Sequence, residues 1–282
     1  MPSSEKRLIK QLVDNYENAG KIGRPVKNMK ETITVGYGLT LFQLLDLDEK
    51  NQVLTTNVWA KYTWIDQLLR WDPSNYTDIQ EVRIPPRLIW TPDIVLYNFN
   101  DERLQELRDV MLNVDFTGQI FWSPPAIFKS NCHIDIRNFP FDNQYCFLKF
   151  ASWTHDSEQL DLQFFDNVTE VDVGQYTENN EWILIARPAR RFVMMSENCG
   201  KKIPDLTFFL FIVGKWDYGN STTEKKEEGG RISVVIEVGF TELAKKSRIL
   251  RVPLGFPVHS AKPIDNRGFL ASATCSSQNP TE

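Results

Sequence analysis

Only four cysteines and three histidines occur in the 282 residues, and no two cysteines form a C-x-x-C pair. Structural zinc sites and thioredoxin-type redox centres use such close pairs, so neither chemistry has its usual ligands here. Positive charge is also in short supply. Lys and Arg number 32 against 37 Asp and Glu, for a net charge of −5, which disfavours nucleic acid as a partner. No apolar run approaches the roughly 18 residues that span a bilayer. The longest, LTFFLFIVG (206–214) and ISVVIEVGF (232–240), have the length of strands. The amino terminus, MPSSEKRLIKQLVDNYENAG, lacks the apolar core of a secretion signal. No internal repeat is visible, and no cofactor motif stands out.

What is present is aromatic and apolar. Hydrophobic residues make up 41% of the chain and aromatic ones 12%, with eight Trp, enough for one large β domain or two smaller ones. Three glycosylation sequons begin at Asn75, Asn167 and Asn220. They indicate a secreted context, in conflict with the missing signal, so the encoded start is expected to be incomplete.

Hydrophobic periodicity divides the chain. Leu8, Ile9, Leu12, Val13 and Tyr16 recur at helical spacing and predict one short amphipathic helix. The period then changes to two: Ile33, Val35, Tyr37, Leu39 and Leu41 alternate with small or polar residues, as in a strand with one buried face. Similar runs follow at 57–64, 112–116, 147–151, 160–164, 182–186 and 206–213, separated by Pro, Gly, Asn and Asp. Many short strands predict an all-β sandwich. From about residue 214 the texture changes. DYGNSTTEKKEEGG (217–230) reads as a linker, and 214–282 is expected to be a divergent, largely irregular tail behind a domain of residues 1–213.

One strand places a Trp oddly. In NVWAKYTWIDQLL, Val58, Ala60, Tyr62 and Trp64 share an apolar face, so Trp59 points the other way with Lys61 and Thr63. Such a Trp either caps a neighbouring loop or offers a contact surface to a partner or ligand.

Cys132 and Cys146 bracket thirteen residues with Phe139-Pro140-Phe141-Asp142 among them. The spacing does not suit zinc, and the one nearby His, His133, adjoins Cys132. A disulfide closing this loop fits better and would stabilise by about 3 kcal/mol. Two free buried thiols are the alternative.

That loop resembles the signature loop of the Cys-loop receptors, the pentameric neurotransmitter-gated channels. Four segments resemble the family in order and separation: WAKYTWIDQLLRWDPSNY (59–76), IPPRLIWTPDIVLYN (84–98), PPAIFKSNCHIDIRNFPFDNQYC (124–146) and FASWTHDSEQLDL (150–162). The likeness covers about residues 5–213 and is nearest to nicotinic acetylcholine receptor subunits. It implies an immunoglobulin-like twisted β-sandwich of about ten strands behind a short N-terminal α-helix. It also implies a glycoprotein on the extracellular side of a postsynaptic plasma membrane. Five subunits would form a ring, with a small cationic, acetylcholine-like transmitter held in an aromatic cage between a principal and a complementary face.

Residue by residue, the resemblance makes Tyr97 and Trp153 principal-face aromatics and Trp59 the complementary-face aromatic. The third principal segment departs from the pattern. In SENCGKKIPD (196–205), Ser196 and Ile203 stand where two tyrosines belong, and Asn198-Cys199 replaces an adjacent cysteine pair. With a Trp loop also closer to non-α subunits, the resemblance implies a non-α type that works through its complementary face. Cys199 is left to pair with Cys275, to pair between chains, or to stay free.

Two other functions compete with this one. A secreted, soluble transmitter-binding protein of the same fold would be expected to keep a signal peptide and the double cysteine. A hydrolase would use Ser152, His155 and Asp156, but no G-x-S-x-G elbow accompanies them.

Overall fold

A computed structural model describes residues 3–100, 108–137, 142–195, 200–215, 221–228 and 231–238. Helix α1 (Ser4–Ala19) starts where the Ser3 hydroxyl accepts from the Lys6 N–H at 3.3 Å. It stops at Gly20, whose φ of +93° lets its N–H turn back to the Glu17 carbonyl at 3.2 Å. Leu8, Leu12 and Tyr16, spaced four apart, form the buried stripe.

Twelve strands follow: β1 (Ile33–Asp48), β2 (Val53–Ile65), β3 (Glu81–Ile84), β4 (Ile94–Leu96), β5 (Leu112–Asp115), β6 (Gln119–Trp122), β7 (Pro125–Asn131), β8 (Asn143–Ser152), β9 (Leu160–Phe164), β10 (Trp182–Ala186), β11 (Ala189–Met195) and β12 (Lys202–Gly214). One sheet runs β3-β5-β6-β2-β1-β9, with β7 also paired to β2. The other runs β10-β12-β8-β4, with β11 also paired to β12. The sandwich expected from the sequence is present, with twelve strands among its described residues instead of about ten. The difference lies in strands such as β3, β4 and β6, of four residues or fewer, too short to show a period of two.

Alternation explains the core. Ile33, Val35, Tyr37, Leu39 and Leu41 are all buried from β1, and the Tyr37 ring meets Phe150 of β8 and Phe208 of β12 across the sandwich. Each large apolar side chain buried there contributes about 1.5–3 kcal/mol. Cys132, just past β7, and Cys146 in β8 are bonded, with Cα atoms 4.9 Å apart. Because β7 belongs to one sheet and β8 to the other, this bond ties the two layers. The Phe139-Pro140-Phe141 part of the loop lies outside the described residues.

Beyond β12, residues read as linker hold β13 (Ser221–Glu228), paired antiparallel with β14 (Arg231–Val238). The β-branched run of β14 suits a strand, and residues 229–230 between the two lie outside the described residues. The rest of the tail, 239–282, lies outside the described residues. Among those described, no helix is long and apolar enough to cross a membrane.

Candidate functional site

Strand β2 buries Val58, Ala60, Tyr62 and Trp64, which leaves Trp59 on the outer face of its sheet, 41% exposed. Its Cα partners are Thr40 on β1 and Pro125 on β7. Beside it lies a residue that the sequence reading missed. The ring of Phe42 sits 4.6 Å from that of Trp59 at 48°. Phe42 is the extra residue of a bulge: Leu41 pairs with Val58, but Gln43 pairs with Asn57. Its carbonyl accepts from the Thr177 N–H at 2.7 Å, so the bulge is pinned from outside the sheet. The signal was a second apolar residue following Leu41 where alternation calls for a polar one.

Lys61, two positions along the same strand face, is neutralised. Its Nζ lies 2.8 Å from Asp172, which also accepts from the Thr40 hydroxyl at 3.0 Å and the Gly174 N–H at 3.0 Å. The Lys61 bond first, then the Gly174 N–H, hold the Asp172 carboxyl down at about 2. A cation approaching Trp59 therefore meets a paired lysine.

Tyr97 and Trp153 belong to the other sheet. Tyr97 follows β4, with its N–H on the Lys149 carbonyl at 2.7 Å and its hydroxyl on the Ser152 carbonyl at 3.0 Å. Burial first, then the charges of Asp93 and Asp205, raise its phenol above the ordinary value, so it stays a donor. Trp153 follows β8 and is 36% exposed, its ring 5.8 Å from that of Tyr97 at 59°.

Asp93 holds the Trp153 loop. It accepts from the hydroxyl of Ser152 at 2.6 Å and from the N–H of Thr154 at 2.7 Å, and its own carbonyl accepts from the Trp153 N–H at 3.1 Å. His155 Nδ1 lies 3.1 Å from the same carboxylate. Burial pushes that carboxyl up, but the bonds from His155, Ser152 and Thr154 outweigh it and leave the group below its usual range.

The hydrolase letters do not assemble into a triad. In a triad the serine and the aspartate hold opposite nitrogens of the imidazole. Here Asp93, Thr154 at 3.0 Å and Ser152 at 3.5 Å all crowd Nδ1, and Ser152 is buried with its proton given to Asp93. Asp156 pairs with Lys201 at 2.6 Å instead.

The third segment begins β12. Ile203 is half-buried and pairs with Met194 of β11. The Lys202 carbonyl accepts from the Ser157 N–H at 2.8 Å, so this end of β12 is clipped to the Trp153 loop. Ser196, Asn198 and Cys199 lie outside the described residues, as do Asn220 and Cys275. Asn75, in the turn Pro73–Tyr76, and Asn167, in the turn Phe165–Asn167, are both exposed. Among the described residues, no group of three His, Cys, Asp or Glu could hold a metal.

The structure thus brings Tyr97 and Trp153 together and leaves Trp59, with Phe42, on the opposite sheet. Each gives open aromatic surface of the kind that attracts an organic cation, worth about 0.5–2 kcal/mol per contact.

Residues 5–213 match the family described as neurotransmitter-gated ion-channel ligand binding domain. Over 209 residues, 74% of this chain, the sequence is 41% identical to neuronal acetylcholine receptor subunit alpha-4 of Mus musculus, covering 32% of that protein. It is equally similar, at 41%, to the alpha-2 subunit of the same animal, covering 40% of it. It is 43% identical over 211 residues, 72% of this chain, to acetylcholine receptor subunit alpha-like 2 of Drosophila melanogaster, covering 36% of that protein. All three carry α names, whereas the third segment and the Trp loop pointed to non-α subunits. The chain spans about a third of the length of these relatives. With a match over most of its length, the chain belongs to the neurotransmitter-gated ion-channel ligand binding domain family.

Proposed function

We propose that this chain is the extracellular ligand-binding part of an acetylcholine-receptor-like channel subunit. It would act on the outer side of a postsynaptic plasma membrane and assemble with other subunits into a pentamer. The relatives' names support an acetylcholine-like agonist. The proposal assigns this subunit the complementary half of the binding seam, as a non-α type would supply. The observation that carries it is Trp59, exposed on the outer face of a strand whose other aromatics are buried. Lys61 beside it is paired with Asp172, and the third segment has Ile203 where the principal face needs an aromatic ring.

In a mixed pentamer, Trp59→Ala is expected to weaken agonist potency by roughly tenfold or more, the equivalent of about 1–2 kcal/mol, while Ile203→Ala leaves it nearly unchanged. A large shift from Ile203→Ala with none from Trp59→Ala would reverse the assignment of faces. A second reading, use of the principal face, is favoured by the contact between Tyr97 and Trp153 and by the Asp93 cradle beneath them. A secreted soluble binding protein of the same fold is the alternative. In this proposal Asn75 and Asn167 carry glycans, since both are exposed.

A further inference from the structure

Tyr16 is the last buried residue of α1, and its hydroxyl donates to Asp66 Oδ2 at 2.9 Å while accepting from the Trp90 N–H at 3.1 Å. Asp66 lies just past β2 and is fully buried. Its other oxygen accepts from the Leu68 N–H at 2.8 Å. A buried carboxylate with these donors is adequately hydrogen-bonded, yet among the described residues no cation pairs with it to balance its charge. We propose that α1 is docked through a proton-linked latch, the contact of Tyr16 with the buried Asp66 carboxyl, and that acid tightens it.

The geometry sets the direction. Burial, the largest influence, pushes Asp66 up to about 6, against the opposing bonds from Leu68, Tyr16 and Leu69. When α1 lifts away, water reaches the carboxyl and its affinity for a proton falls to that of an ordinary aspartate, about 3.9. The docked form therefore binds the proton more tightly. Docking strengthens as pH falls through about 6 and weakens as pH rises through the same value. Tyr16 does not complicate this, because burial first and then the Asp66 charge raise its phenol, so it remains a donor throughout.

Other charged groups stand on the elements around the latch. α1 carries Glu5, Lys6, Arg7, Lys10, Asp14 and Glu17, the segment after β2 carries Arg70, β3 carries Glu81 and Arg83, and β5 carries Asp115. The side chain of Arg70 runs past Gly118 in the β5–β6 turn. Of these elements' titratable groups, Tyr16 is the one hydrogen-bonded to the Asp66 carboxyl. The latch also reaches the candidate site, since Trp90, held by Tyr16, sets its ring 6.4 Å from that of His155 in the Trp153 loop.

Hydrogen exchange on the full chain tests the latch, with amides of β8 as the internal control. Protection factors of α1 amides should rise about tenfold relative to β8 between pH 7 and pH 5. Asp66→Asn should abolish that rise. Tyr16→Phe should move its midpoint upward, because the tyrosine bond lowers the Asp66 value. This variant keeps the test open should Asp66→Asn fail to fold. Protection of α1 that is flat with pH in the parent chain, a rise that survives in Asp66→Asn, or a midpoint unmoved by Tyr16→Phe would each overturn the proposal.

Discussion

The ring of Phe42 covers part of Trp59 at 4.6 Å, and the two meet because one extra residue bulges from β1. The open part of the indole is therefore aimed by a side chain that belongs to a different strand. Phe42→Ala should remove this support and lower agonist potency by a few fold, less than Trp59→Ala, since such an aromatic pair is worth about 0.5–1.5 kcal/mol. Dose–response in a mixed pentamer checks it. An effect as large as that of Trp59→Ala would mean that Phe42 itself contacts the agonist.

Gly118 should resist any side chain. Its φ is +86°, and an added Cβ would lie 2.3 Å from the Asp66 carbonyl oxygen, which is backbone and cannot swing aside. Gly118→Ala should destabilise by more than about 2 kcal/mol, combining an unfavourable φ with a steric clash. Chemical denaturation measures this, and a loss below half that size would count against the close approach of the two turns.

The bond between Cys132 and Cys146 ties one sheet to the other. Replacing both residues with Ser should lower stability by about 3 kcal/mol, the loop-closure contribution for a ring of this size. Peptide mapping without reductant should recover the two cysteines as one linked species. Recovery of both as free thiols would contradict the structure.

Asp93 and Asp66 should respond to acid in opposite senses. The Asp93 carboxyl lies below its ordinary value, so its contribution is complete above about 4 and is lost as pH falls through its lower folded value. Protection of amides 152–156 should then hold between pH 7 and pH 5 and fail only in stronger acid. Asp93→Asn should reduce that protection between pH 7 and pH 5 by about 1–3 kcal/mol, because the buried Ser152 hydroxyl and the Thr154 N–H lose a charged acceptor. Exchange rates unchanged by Asp93→Asn would show that the loop is held by other contacts.

The sequence by itself determined the sandwich, the N-terminal helix and the exposed side of Trp59. These follow from periods of two and of 3.6, which any strand or helix with one buried face must display. It also determined the family, through motifs spread along most of the chain. Tertiary structure alone decided who stands beside whom. Phe42 reaches Trp59 through a bulge, Asp172 comes to Lys61 from a distant loop, and Asp93 takes the place that the letters Ser152, His155 and Asp156 suggested for another aspartate. The latch between Tyr16 and Asp66 joins residues 50 apart. Such pairs leave no periodic trace, because a contact across the sandwich depends on register and twist, which no single strand records.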